Sequence, residues 1–134
     1  MDLLVSAVKQ KMRVHNSIWI ALLLVHICFG GATAGPLEEA DAAMKKRDYA
    51  AAARLVRPLA QQGDANAQYI LGVFYDNGLG VPQDRVEAYM WLSLAASQGR
   101  ENAASIRDLA ARLMSGAQIE EAQRLAREWN PLPK

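Results

Sequence analysis

The side chains best suited to catalysis are confined to the start of the chain. Both histidines, His15 and His26, and the single cysteine, Cys28, precede residue 35 of 134. Beyond that point there is no imidazole base, no thiol nucleophile and no His or Cys donor for the usual zinc sites. Carboxylates remain. Glu38–Glu39 and Glu120–Glu121 are adjacent in sequence, but neighbours on a helix point about 100° apart and do not share a reacting centre. Both pairs read as solvated acids in a first helical turn, favoured by the positive end of the helix dipole. Gly78-Leu79-Gly80 invites a phosphate loop. The third glycine's place is taken by Gln83, no strand precedes it, and Asp84 stands where the anion would lie. Lys45-Lys46-Arg47, followed by Asp48, suits a helix C-terminus better than a nucleic-acid patch. No catalytic, metal-ligating or cofactor-binding residue is assigned, and the chain is expected not to be an enzyme.

The first 34 residues have an organisation of their own. Lys9, Lys11, Arg13 and His15 precede an apolar run from Ile18 to Phe29, which ends at Gly30-Gly31 and Ala32-Thr33-Ala34. A basic start, a short apolar stretch and an A-x-A site predict a secretory signal peptide cleaved after Ala34. The run of 12 residues falls short of the ~20 that a membrane-crossing helix needs. No stable membrane insertion is expected after cleavage; the alternative is an uncleaved N-terminal anchor. Met12 is a second candidate start, which would make residues 1–11 an artefact of start assignment. The remainder, Gly35 to Lys134, carries 12 basic and 13 acidic side chains, a net charge of −1. That balance gives no bulk attraction to nucleic acid or anionic lipid.

Alanine dominates the apolar residues after position 34 and β-branched residues are scarce, a profile for closely packed helices. The sequence also repeats. Gln62-Gly63-Asp64-Ala65-Asn66-Ala67 returns 36 residues later as Gln98-Gly99-Arg100-Glu101-Asn102-Ala103, and the same shift carries Ala52 to Ala88, Leu55 to Trp91 and Ala60 to Ala96. A period of that length made of two helices predicts a helical solenoid. Six helices are expected: Leu37–Lys46; Asp48 to Gln62, closed by Gly63; Asp64 to Asp76; one opened by an Asp84/Glu87 capping box and closed by Gly99; Glu101 to Met114; and one opened by a Ser115/Gln118 capping box and ending near Trp129. Residues 130–134 are expected to fray. Gly72 lies inside the third helix, where glycine costs ~1 kcal/mol against alanine, so another helix must cross closely over it. Trp91 and Trp129 fall on apolar helix faces and read as core or cap.

The run from Ala67 to Asp84, continuing through Ala88, Trp91, Ala95, Ala96 and Gly99, resembles one full Sel-one-like repeat, a relative of the tetratricopeptide repeats. Ala67, Leu71, Gly72 and Tyr75 match its first helix. Gly78, Gly80 and Asp84 match its loop, and Ala88, Trp91, Ala95, Ala96 and Gly99 its second helix. Residues 48–63 resemble the second helix of a preceding repeat. Residues 101–129 resemble a diverged last one, with Arg107 and Asp108 where Leu-Gly would stand. The resemblance implies an all-α solenoid of about three antiparallel hairpins over residues 35–130, with a tail at 131–134.

The resemblance further implies a protein-interaction module of the bacterial envelope or secreted space. It would hold an unknown protein or peptide in a concave groove lined by the first helix of each pair. That places Asn66, Tyr69, Val73 and Asp76, with Asn102, Ser105, Leu109 and Arg112, on the candidate contact surface. Tyr69 would be an aromatic anchor, Asn66 and Asn102 backbone clamps, and Asp76 and Arg112 charged edges. Tyr69 and Val73 read equally well as packing against a neighbouring helix. The alternatives are a small envelope ligand-binding protein, a cell-wall-related hydrolase using acidic residues only, and a detached repeat unit of a larger assembly.

Overall fold

The computed structural model describes residues 34–133. The signal peptide expected over residues 1–34 lies outside these apart from Ala34, as does Lys134. Among the described residues there are six helices and no strand: α1 (Pro36–Lys45), α2 (Tyr49–Gln61), α3 (Ala65–Asn77), α4 (Arg85–Ser97), α5 (Glu101–Ala111) and α6 (Gly116–Glu128). Each helix from α1 to α4 packs against its successor, giving the α solenoid that the 36-residue period predicts. The sixth helix lies against α4.

Short polar side chains start most of these helices. Asp48 accepts from Ala51 N and Asp64 from Ala67 N, each satisfying an orphan donor of the first turn. Ser115 and Gln118 form the full reciprocal box at the start of α6. The expected box at α4 is only half made. Asp84 accepts from Val86 N and Glu87 N, but the Glu87 carboxylate instead accepts from Trp91 Nε1 at 3.0 Å. The Asp84 N–H that the box would need already donates to Tyr75 O, so the carboxylate is left for the buried indole N–H, which needs a partner. The fifth helix also ends earlier than expected, at Ala111 rather than Met114, in a turn over Arg112–Met114.

The core is built largely of alanine. Ten of the 17 buried apolar residues are Ala, so backbones approach closely and the few large side chains carry the burial energy. Val56, Leu71, Met90 and Trp91 form the centre, joined by Ala40, Ala60 and Ala67. Gly72 is where the approach is closest. A Cβ there would lie 2.7 Å from Leu92 Cγ of α4 and 3.2 Å from Leu92 N, so a side chain would force the two helices apart. Gly80 has φ +67, and a Cβ on it would overlap the Tyr49 carbonyl. The loop between α3 and α4 is therefore pressed onto the start of α2. Gln68 is fully buried. Its Nε2 donates to Ala60 O and its Oε1 accepts from Gln98 Nε2, so one side chain ties the ends of α2 and α4 to α3.

The C-terminal residues do not fray. Trp129 meets Trp91 edge to face with ring centroids 6.2 Å apart, and both Trp129 and Pro131 lie beside Gly63. Leu132 N donates to Gln61 O at 2.7 Å. Sequence reasoning missed this strap because Asn130-Pro131-Leu132-Pro133 has no periodicity to mark a contact partner.

Candidate functional site

The first-helix stripe and its equivalent in the next pair sit on neighbouring helices, α3 and α5. Tyr69 and Val73 are half-buried at the edge of α3, packed with Leu92, Ala95 and Ala103 and beside Ile106 of α5. They are thus partly committed to holding α5 in place, and part of each remains open. Asn66 is exposed at the start of α3. Asp76 lies near its end, 4.0 Å from Arg85 Nε, while its backbone carbonyl accepts from Gln83 Nε2.

On α5, Ala103 and Ala110 are buried and Ile106 is half-buried. Asn102, Ser105, Leu109 and Arg112 are all exposed. Leu109 leaves 62% of its surface to solvent, and Leu113, one turn further, leaves 68%. At 100° per residue, Asn102, Ile106 and Leu109 form one flank of the helix, and Leu113 follows in the turn after it. Ile106, on that flank, packs against the same buried cluster, Leu92, Ala95 and Ala103, as Tyr69 and Val73. Helix α5 thus shares one buried cluster with the edge of α3 and leaves Asn102 and Leu109 open to solvent.

Two members of this surface were not found from sequence. Arg100, just before α5, stacks its guanidinium on the Tyr69 ring, 4.8 Å from the centroid. Leu113 lies in the turn after α5. Its spacing of four from Leu109 was the available signal. Arg107 and Asp108, where the repeat pattern would have Leu-Gly, pair with each other at 2.8 Å, and Arg107 also stacks on Tyr89. A charged pair in place of a glycine blocks close helix approach at that point. This agrees with α6 resting on α4, where Gln123 Nε2 donates to Tyr89 OH.

All four glutamates of the acidic pairs are exposed. Glu38 and Glu39 occupy the first turn of α1 as expected. Glu120 and Glu121 do not belong to the first turn of α6, because the helix already begins at Gly116. Glu121 is instead held by Arg124, which also reaches Glu128. The hydrogen bond from Arg124 is the main reason that the Glu121 carboxyl lies below the usual carboxylate range. Lys45 pairs with Asp41 at 2.6 Å, and Arg47 ends the turn after α1 with φ 59. Among the described residues, no three His, Cys, Asp or Glu side chains cluster to hold a metal ion, and no helix is long and apolar enough to cross a membrane.

No curated protein matches the chain. Residues 65–99, which span α3, the glycine loop, α4 and its closing glycine, match the Sel1 repeat. The segment that positions Tyr69, Val73 and Asp76 is therefore a Sel1 repeat, a kind of module that generally mediates protein–protein interaction.

Proposed function

We propose that this protein is an exported interaction module that holds a protein or peptide segment on the α3–α5 surface and performs no chemistry on it. One observation carries the reading. Leu109 and Leu113 expose 62% and 68% of their surface, on α5 and in the turn after it, while the same helix enters through Ala103 and Ile106 the cluster that Tyr69 and Val73 join. Two exposed leucines four residues apart are the material of a contact surface. Tyr69 offers a rigid aromatic body already oriented by Arg100, the kind of residue that dominates binding energy at interfaces. The basic, apolar and A-x-A segments before residue 35 support export to the periplasm or the secreted space.

A photo-crosslinking side chain placed at position 109, and separately at position 124 on the outer face of α6, tests the surface in the native host. Adducts should form from position 109 and not from 124. Equal labelling from both, or none from 109, would end the proposal. Tyr69→Ala should reduce the yield of the adduct. N-terminal sequencing of the exported chain should begin at Gly35; a chain retaining residues 1–34 in the membrane fraction would favour the anchored alternative.

A further inference from the structure

We infer that α6 and the strap, residues 116–133, form an exchangeable arm, and that a second copy of this chain is the partner that donates and receives it. The inference is separate from the α3–α5 reading and uses other residues, so either can fail without the other.

The contacts of the arm carry the inference. Helix α6 follows α5 in the chain, but the two enter different clusters. Ala103 and Ile106 of α5 pack with Leu92 and Ala95, whereas Leu125, Ala126 and Trp129 pack on the cluster around Val56, Met90 and Trp91. The specific contacts agree. Gln123 Nε2 donates to Tyr89 OH on α4, the Trp129 ring meets Trp91 on α4, and Leu132 N donates to Gln61 O at the end of α2. The arm therefore reaches back past α5 and buries its apolar surface on α2 and α4. The same surface on a second copy offers the arm every one of these contacts. Exchange changes only the connection.

The connection is the second observation. Only Arg112, Leu113, Met114 and Ser115 join α5 to α6. Arg, Leu and Met are strong helix formers, yet here they leave the helix in a turn, with Arg112 N donating to Leu109 O and Leu113 N to Ala110 O. Ser115 is extended and caps α6. Gly116 has no positive φ, and a Cβ on it would meet nothing within 4 Å. The folded-back turn thus has no need of glycine at that position. What glycine does there is disfavour a continuous helix through α5 and α6. A short connector of helix-forming sequence has two solutions: a turn that returns the arm to its own chain, and a helix that carries it to another. An exchanged pair is two-fold symmetric and presents the α3–α5 surface twice.

The test uses two versions of the full chain, each with Cys28→Ser so that no native thiol remains. One carries Gln61→Cys; the other carries Leu132→Cys and a larger tag. They are co-expressed and treated with a short bismaleimide. Positions 61 and 132 meet where the strap is seated, so a link between the two versions forms only where the arm of one chain lies on the other. A covalent heterodimer should form. Ser115→Ala/Gly116→Ala in both versions removes the cap of the folded-back form and the glycine that opposes the continuous helix. It should raise the ratio of exchanged to folded-back chains on the order of ten-fold. A flexible Gly-Ser insertion after Leu113 should lower that ratio, because a longer connector returns on its own chain with less strain. A single chain carrying both cysteines checks that the strap is seated, and circular dichroism checks that each variant remains helical. If links form only within that single chain, and still do so with Ser115→Ala/Gly116→Ala, the arm is fixed in its own chain and the inference falls. It falls equally if copies associate without the link, or if no link forms within or between chains.

Discussion

Gly72 and Leu92 touch where the repeat's two helices cross, and the contact inverts a rule of helix chemistry. Gly→Ala in a helix interior ordinarily gains ~1 kcal/mol. Here the added Cβ would lie 2.7 Å from Leu92 Cγ, and overpacking of that kind costs about 1–3 kcal/mol. Gly72→Ala should therefore lower the urea midpoint. In a Leu92→Ala background the same change should be neutral or stabilising, because the clash partner is gone. Glu87 offers a second test. Its carboxylate is the acceptor for Trp91 Nε1, and Trp91 is buried. Glu87→Ala should cost about 1–3 kcal/mol by stranding the indole N–H. Glu87→Gln, which keeps an acceptor oxygen, should cost clearly less. Chemical denaturation of the two variants side by side reads the difference.

At the scale of the element, α6 differs from the other helices. Ala122 is its one fully buried residue, while Arg124 holds both Glu121 and Glu128 on its outer face. These groups are exposed, so their contribution is small and salt-sensitive. Its pH dependence has a definite sign. The folded-state pKa of Glu121 is depressed, so the stabilisation is complete above the carboxyl's unfolded value and is lost as pH falls through the lower folded value. The melting temperature of Glu121→Gln should therefore lie slightly below the parent's near neutral pH, and the gap should close in acid. A gap that persists unchanged at pH 2 would assign the effect to packing rather than charge.

Across the whole molecule, the C-terminal strap sets this protein apart from an open solenoid. In a simple solenoid each repeat contacts only its neighbours, and damage at one end stays local. Here Trp129 rests on Trp91 and Leu132 binds back to Gln61, joining residues 71 positions apart. Trp129→Ala should cost about 3 kcal/mol, at the lower end for aromatic truncation because the ring is only half-buried. Hydrogen exchange on this variant should show lost protection in the last turns of α2 as well as in α6. Loss confined to α6 would mean that the strap adds nothing to the cooperativity of the fold.

By itself the sequence determined the local elements. Asp48, Asp64, Asp84 and Ser115 marked the helix starts, Gly63 and Gly99 marked ends, and the 36-residue period set the pairing up to α5, because caps, turns and apolar periodicity act over a few residues. It also placed a close crossing over Gly72, since an interior helical glycine has a cost that only packing offsets. Tertiary structure decided the rest. Whether Glu87 would cap its helix or serve Trp91, that Arg100 would stack on Tyr69, that Leu109 and Leu113 would stay uncovered, and that the tail would return to Gln61 all depend on which side chains meet across helices. Such meetings are set by the crossing of whole elements, and a one-dimensional pattern carries the spacing of residues along a helix but not the identity of the neighbour opposite.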